Sequence, residues 1–300
     1  GDKGFGILHV IGPEQGITLP GTTVVCGDSH TCTHGGMGAL AWGIGASELV
    51  HALATQTVMQ RKPKRMRVNF DGHLPEWLSA KDLILHVIGR EGAAAGDGYA
   101  VEYAGASIRA LGVEARLTLC NLSIEMGAKV GMIAPDDTIY HYLCGRPYAP
   151  AGGDWDRALA AWRALTSDDE ATFDAEINVP IDDLAPHISW GTSPEHTIAV
   201  TDRIPDPADE ADLERRHALR AAQEYIGLDP GALIEGTPVD WVFIGSCTNS
   251  RLSDFAEAAR VLEGRKIAEG VRAWAVPGSA SVKAEVEAAG LHGVLKAAGV

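Results

Sequence analysis

Short apolar runs of strand length alternate with stretches of helical periodicity along most of the chain. Residues 66–70 alternate like a half-buried strand, and Ser79 stands where it can cap a helix over residues 80–89. Residues 240–244 form the strongest candidate for a buried strand. Strands that alternate with helices predict an α/β fold with several parallel-rich sheets flanked by helices.

Weaker patterns complete this prediction. Strands are expected at residues 7–11, 22–26, 100–103, 173–181 and 271–276, and helices at 39–60, 107–126, 155–165, 209–227 and 281–298, with a further helix starting at Asp136. Prolines punctuate residues 180–207, which predicts a connection between domains. We therefore expect residues 1–63 to be part of a first α/β domain and 64–200 to be a second. Residues 201–300 would hold the connection and part of a third.

Two predicted strands end in a glycine followed by small polar residues, and a helical pattern comes after each. The first leads from Gly27 into Asp28, Ser29 and His30, and the second gives the run 245–251, which contains Cys247. Ligands of open α/β sheets bind at the carboxyl ends of strands, so both turns are candidate sites. The alternative is an ordinary turn with Asp28 or Ser29 as an N-cap, since Gly, Asp and Ser are common turn residues.

Three other polar residues interrupt apolar patterns. His9 lies in an apolar run, where a histidine is more often a satisfied core residue than a catalyst, and a carboxylate partner would reverse that interpretation. Asn121 and Glu125 are four residues apart, so on a helix they share one face. Apolar neighbours suggest that this face is enclosed and needs partners, although a solvated helix face is the simple alternative.

Composition excludes some classes of function. A chain of 300 residues has room for two or three domains. It carries 25 basic and 40 acidic residues, a formal charge of −15, which opposes nucleic-acid binding unless a basic patch exists. The only such patch, residues 61–67, has no interleaved aromatics and is interpreted as a solvated connection between domains.

The five cysteines form no Cys-x-x-Cys pair, which predicts a reducing compartment rather than a disulfide framework. The sequence has no run of about 18 apolar residues, the length that a membrane span requires, and no recognisable signal peptide. We expect a cytoplasmic protein with no membrane partner. The sequence does not begin with Met, so we also expect it to be a piece of a longer chain.

Motifs along nearly the whole chain resemble those of the 3-isopropylmalate dehydratase large subunits, within the aconitase superfamily. In order they are His9 with residues 12–16, residues 27–30, Cys120-Asn121 with Glu125, and residues 190–192, 204–207 and 245–249. The resemblance implies α/β domains packed around a [4Fe–4S] cluster. It also implies a hydro-lyase that isomerises 2-isopropylmalate and 3-isopropylmalate in leucine biosynthesis.

The implied reaction removes a weakly acidic C–H proton and expels hydroxide, and an iron with an open coordination position would act on the hydroxyl as a Lewis acid. Imidazoles held by carboxylates would move the proton of the departing oxygen. By resemblance, Cys247 is one cluster ligand, and the catalytic pairs are Asp28 with His9 and Glu125 with His30. Ser29 and Asn121 would hydrogen-bond substrate or the cluster environment. The other cysteines would be structural: Cys26, Cys32, Cys120 and Cys144.

The chain also departs from the family pattern. Family members carry two further cluster cysteines in a Cys-x-x-Cys pair and an upstream Asp-His pair, and both are absent here. In the dehydratase, a separate small subunit would supply the base that removes the C–H proton. We therefore expect an interior piece of the large subunit that is free of iron and inactive alone. Cys247 would be exposed at the lip of an open cleft, while the strand with Cys26 and the helix with Cys120 would be packed core.

Three other hypotheses stay open. The same superfamily acts on homoaconitate or 2-methylmalate-type acids, and the loop that selects the side chain is expected on the small subunit. A GDSL-type hydrolase would also place Gly27-Asp28-Ser29 after a strand, but it needs an Asp-x-x-His pair near the C-terminus. His292 is the last histidine and has no acid three residues before it. A noncatalytic scaffold is the third.

Overall fold

The computed structural model describes residues 4–182 and 184–300. Its strands are β1 Thr23–Cys26, β2 Leu40–Gly43, β3 Lys64–Asp71, β4 Tyr99–Ala104, β5 Val130–Met132, β6 Ala175–Pro180, β7 His187–Ser189, β8 Thr197–Ala199, β9 Trp241–Ile244 and β10 Arg272–Ala275. Its α-helices are α1 Leu8–Glu14, α2 Ala46–Thr55, α3 Ala80–Glu91, α4 Ala106–Ala110, α5 Val113–Asn121, α6 Asp137–Leu143, α7 Gly153–Arg163, α8 Leu213–Ile226, α9 Leu252–Leu262, α10 Ala280–Ala288 and α11 Leu291–Ala298. Three 3₁₀ helices cover Ser29–Met37, Leu122–Met126 and Pro207–Asp209.

The largest sheet has the order β5-β4-β3-β6, and all its strands are parallel. Val68 and Phe70 of β3 are fully buried against α3, as the alternation predicts. The cap of α3 is also as predicted, because Asp82 accepts hydrogen bonds from the Ser79 backbone N–H and side-chain hydroxyl, both at 2.7 Å. This sheet and its helices form the largest core of the described residues.

The 3₁₀ helix Ser29–Met37 lies at the centre of the molecule, after β1 and beside β2, α5 and β5. Its residues from Thr31 onwards are buried. Two glycines allow this close packing, since a Cβ on Gly35 would lie 1.7 Å from the Gly131 carbonyl oxygen and one on Gly36 would lie 2.8 Å from the Arg116 backbone. The segment that carries the candidate site is thus held rigidly from its buried end.

An ion pair between a buried arginine and a partly exposed aspartate joins α5 to the start of α6. Arg116 is fully buried and donates two parallel hydrogen bonds to the Asp136 carboxylate, at 2.8 and 2.7 Å. Two backbone carbonyls, those of Arg109 and Leu111, accept its remaining hydrogen bonds. Four of the five guanidinium N–H groups are thus hydrogen-bonded, so the loss of the partner carboxylate would leave a buried charge unpaired.

The prediction of a buried strand at residues 240–244 is wrong for this chain. In β9, Trp241 is 53% exposed and Phe243 is 59% exposed. Within the described part of the chain the strand pairs only with β10, and α9, α10 and α11 pack on the face that carries Ile244. Apolar composition indicated burial, but among the described residues nothing covers the other face.

Further boundaries differ from the predictions. The predicted helix 107–126 is divided into α4, α5 and the 3₁₀ helix Leu122–Met126. Residues 7–11 begin helix α1 rather than a strand, and residues 40–43 form strand β2 rather than the start of a helix. The predicted helix 281–298 is divided at Gly290, whose φ of 74° is left-handed. Short apolar runs fit both periodicities, and here tertiary partners decide: β2 is fixed by its parallel register with β1.

The predicted α/β class is confirmed, since β1–β2, β9–β10 and the four-stranded sheet are parallel and only β7–β8 is antiparallel among the described residues. The domain boundaries at residues 63 and 200 remain predictions. No helix within the described ranges has the length and apolar character that crossing a bilayer requires.

Candidate active site

His30 and Glu125 form one carboxylate–imidazole pair. Asp28 follows β1 and caps the 3₁₀ helix by accepting a hydrogen bond from the His30 backbone N–H at 2.8 Å. This places His30 Nε2 3.0 Å from Glu125 Oε1, which comes from the 3₁₀ helix Leu122–Met126. Both side chains are partly exposed, so the pair faces open space beside the protein core.

Asp28 and His9 form the second pair, but only Asp28 faces solvent. His9 is 1% exposed while the Asp28 side chain is 50% exposed, and Nε2 lies 3.3 Å from Oδ1. This is ion-pair distance with a poor hydrogen-bond angle, and Nε2 has no other partner among the described residues. Burial lowers the pKa of His9, against the opposing effect of Asp28. Burial would raise the pKa of Asp28, but the hydrogen bond from the His30 backbone N–H and the nearby His9 imidazole bring it below its usual value.

Ser29 occupies the first position of the 3₁₀ helix and is exposed. Its Oγ lies 3.3 Å from His30 Nδ1, the ring nitrogen opposite the one that meets Glu125. Ser29, Asp28 and the accessible edge of His30 therefore share one open side.

Cys247 lies in the loop after β9, where Ser246 has a left-handed φ of 82°. Its Sγ accepts a hydrogen bond from Asn121 Nδ2 at 3.4 Å. Asn121 is fully buried and its amide is also engaged by Thr33 and Thr248, each at 2.7 Å. Cys247 is half-buried, so the expectation of an exposed thiol is wrong, because Asn121 and Thr248 hold its loop against the core.

Arg251 has a position that sequence reasoning missed. This buried side chain donates hydrogen bonds to the Thr248, Cys247 and His9 carbonyls, at 2.8, 3.3 and 3.4 Å. It thereby joins the cysteine loop to α1. Burial lowers the pKa of Arg251, with Asp254 opposing this. The motif ending at Asn249 gave no hint of it, since only the fold brings α1 to this loop.

His34 and Thr18 were also missed. His34 is fully buried, with Nε2 3.2 Å from His9 Nδ1 and Nδ1 2.7 Å from Thr18 Oγ1. Burial lowers the pKa of His34 to about 3, with His9 and Arg251 adding to the effect. A second histidine four residues after His30 in a polar motif was the available signal.

With this geometry described, comparison with known proteins is informative. Residues 2–300 match the aconitase family (aconitate hydratase). The chain belongs to the aconitase family. It is 62% identical over 296 residues to the 3-isopropylmalate dehydratase large subunit 1 of Bradyrhizobium diazoefficiens, an alignment that covers 99% of this chain and 62% of that relative. The chain thus spans about 62% of the length of the curated relative that it matches.

The family resemblance predicted from the motifs is therefore confirmed, and a GDSL-type hydrolase is no longer a competing family. The structure brings the predicted site residues together in space: His9 with Asp28, His30 with Glu125 and Ser29, and Asn121 with Cys247. Their catalytic, substrate-binding and metal-binding roles remain proposals for this aconitase-family chain.

The other cysteines of this aconitase-family chain differ in environment. Cys32 and Cys120 are fully buried, and burial raises the pKa of Cys32 to about 12 and that of Cys120 well above its usual value. Cys144 is exposed, and Cys26 is half-buried on a strand that is not the packed core we expected. Among residues 4–182 and 184–300, no group of three His, Cys, Asp or Glu residues could hold a metal ion.

Proposed function

We propose that this chain is part of a hydro-lyase subunit that interconverts 2-isopropylmalate and 3-isopropylmalate by dehydration and rehydration, a step of leucine biosynthesis. The observation that carries the proposal is the pair of carboxylate–imidazole contacts, His9 with Asp28 and His30 with Glu125. Asn121 links Thr33, on the same 3₁₀ helix as His30, to Cys247. The printed name of the 62% identical relative supports the substrate.

His30 is the residue best placed to move a proton. The Glu125 carboxylate can only accept hydrogen bonds when it is ionised, so His30 Nε2 carries the hydrogen at this contact. The neutral ring then has its lone pair on Nδ1, next to Ser29 Oγ and 3.7 Å from Asp28 Oδ1. Nδ1 can take or give a proton at a substrate hydroxyl, while Glu125 stabilises the imidazolium that forms.

Asp28 and Ser29 are proposed to orient the substrate. The Asp28 carboxylate is fixed from behind by the His30 backbone N–H and by His9, which leaves its exposed side for a hydroxyl group. Ser29 can donate to a carboxylate or accept from a hydroxyl. Asn121 is enclosed, so we assign it to Cys247 rather than to substrate.

The residues fit one ligand position of a [4Fe–4S] cluster. Cys247 is half-buried after a strand and its sulfur accepts an amide hydrogen bond, as thiolate ligands of such clusters commonly do. When bound, the cluster supplies Lewis-acid chemistry toward the departing hydroxyl. The buried thiols of Cys32 and Cys120 are poor candidates for thiolates, so we propose that the other ligands come from outside this chain's described residues.

We propose a small subunit as the partner, because the relative is named a large subunit. In this proposal the small subunit supplies the base for the C–H proton and binding groups for the carboxylates of a small hydroxy di-acid. The test uses the full-length protein that carries this chain, loaded anaerobically with iron and sulfide and mixed with its small subunit.

The measurement is the rate of alkene formation from 3-isopropylmalate, compared with homoaconitate and 2-methylmalate-type acids. We expect the isopropyl substrate to have the highest kcat/KM and iron chelation to abolish turnover. Preference for another acid would reassign the substrate within the family. Full activity after complete removal of iron would contradict the proposed mechanism.

A further inference from the structure

A row of polar side chains runs from the open side of the site into the interior. It begins at Asp28 Oδ1 and passes through His9, whose Nε2 lies at 3.3 Å and whose Nδ1 lies 3.2 Å from His34 Nε2. It ends where His34 Nδ1 meets Thr18 Oγ1 at 2.7 Å. His9, His34 and Thr18 are all buried, so water does not compete for the contacts among these three side chains.

The hydrogens in this row have one consistent arrangement. The Asp28 carboxylate lies at ion-pair distance from His9 Nε2, 3.3 Å, and a negative charge there favours a hydrogen on Nε2 over a lone pair. Since burial favours neutral imidazoles, His9 Nδ1 is a lone pair, and the hydrogen between the two rings belongs to His34 Nε2. His34 Nδ1 is then the acceptor, and the Thr18 hydroxyl donates to it.

We propose that His34 and Thr18 are positioning residues, which hold His9 in its Nε2–H tautomer against Asp28 and thereby fix the carboxylate that faces the substrate. The effect on catalysis rests on the proposed hydro-lyase activity. The direction of the row, meaning which atom of each contact carries the hydrogen, does not rest on it. Both residues act through His9 and neither reaches the open side.

Packing around the row shows that it is built into the fold. A Cβ on Gly12 of α1 would lie 2.9 Å from both the His34 ring and the Thr18 hydroxyl. Only glycine therefore lets the helix that carries His9 approach them without a shift. The titratable and charged groups around His9 are Asp28, His30, His34 and Arg251, and the last contacts it through the His9 carbonyl.

The first test is the tautomer itself, measured by ¹⁵N NMR of histidine rings in this 300-residue chain near neutral pH. Signals of His9 and His34 are assigned by their loss in His9→Gln and His34→Gln. We expect both rings to be neutral with the hydrogen on Nε2. A hydrogen on Nδ1 of either ring, or a doubly protonated His9, would overturn the proposed direction.

Matched variants test whether the row positions His9. His34→Gln keeps an N–H donor near the position of Nε2, whereas His34→Leu has similar bulk and no donor. The hydrogen bond from His34 stabilises the neutral form of His9, so its loss favours protonation of His9. We expect the pH at the midpoint of His9 protonation to rise by about one unit in the Leu variant and to remain at the wild-type value in the Gln variant. Thr18→Ser should behave as wild type. Equal midpoints in Leu and Gln would overturn the positioning role.

In the iron-loaded full-length enzyme with its partner, we expect His34→Leu to lower kcat roughly 10- to 100-fold with little change in KM. His34→Gln should restore most of the turnover, and unchanged kcat in the Leu variant would refute the functional part. If the NMR spectra show the predicted tautomers but the enzyme does not turn over isopropylmalate, the proposed hydrogen-bond arrangement is supported and the proposed function is rejected. If the Leu variant does not fold, the wild-type tautomers still decide the direction.

Discussion

Replacing His34 with glutamine should remove a measurable part of the acid sensitivity of the fold. An unfolded histidine titrates near 6.5, but the pKa of buried His34 is lowered to about 3. Between these pH values, the His34 imidazole binds a proton in the unfolded chain but not in the folded chain. Protonation of His34 therefore does not reduce the free energy of unfolding above the pKa of the unfolded state, and it reduces it progressively as the pH drops from about 6.5 toward about 3. At about pH 5 the loss from this residue is about 2 kcal/mol.

The assay is urea unfolding at about pH 7.5 and about pH 5, followed by fluorescence and circular dichroism. Other groups contribute to the pH dependence, so the informative quantity is the difference between variants. The wild type should lose about 2 kcal/mol more than His34→Gln between the two pH values. His141→Gln, an exposed change on α6, is the matched control and should lose as much as the wild type.

Equal acid sensitivity in wild type and His34→Gln would refute this reasoning. It would mean that His34 takes up a proton in the folded chain, and that the neutral ring required by its contacts with His9 and Thr18 is not present.

Three other changes test separate parts of the account. Asp136→Asn removes the counter-charge of the buried Arg116 guanidinium, but water screens this pair because the Asp136 side chain is 37% exposed, so the change should cost about 2 kcal/mol in urea unfolding. Asp154→Asn at an exposed pair should cost less than about 1 kcal/mol. Gly35→Ala places a methyl group against the Gly131 carbonyl oxygen and should lower the free energy of unfolding by about 3 kcal/mol or more. A wild-type urea midpoint in this variant would show that Gly35 does not pack against Gly131 as described. Cys247→Ser in the full-length protein should lose cluster iron, while Cys144→Ser, an exposed change, should retain it.

Local patterns predicted those parts of the fold whose partners lie nearby in sequence. The alternation of Val68 and Phe70 and the cap at Ser79 depend on local geometry, and the structure contains both. The α/β class followed from the alternation of elements. The pairing of His30 with Glu125 came from the order of family motifs, since a separation of 95 residues has no local signature.

The remaining features depend on contacts that no local pattern encodes. Phe243 is apolar yet exposed, because burial depends on what covers a strand rather than on its composition. Arg251 contacts His9 across a separation of 242 residues. His34 contacts His9 only because α1 packs against the central 3₁₀ helix. The run 7–11 was too short for its periodicity to distinguish helix from strand.

The central claim is that the His30–Glu125 pair moves the proton of the departing hydroxyl. Its most direct test is Glu125→Gln in the iron-loaded full-length enzyme with its small subunit, measured together with iron content. We predict unchanged iron and a loss of about 10²- to 10⁴-fold in turnover of 3-isopropylmalate. Glu224→Gln, an exposed change on α8, should retain wild-type activity. Wild-type turnover by Glu125→Gln at equal iron content would contradict the account.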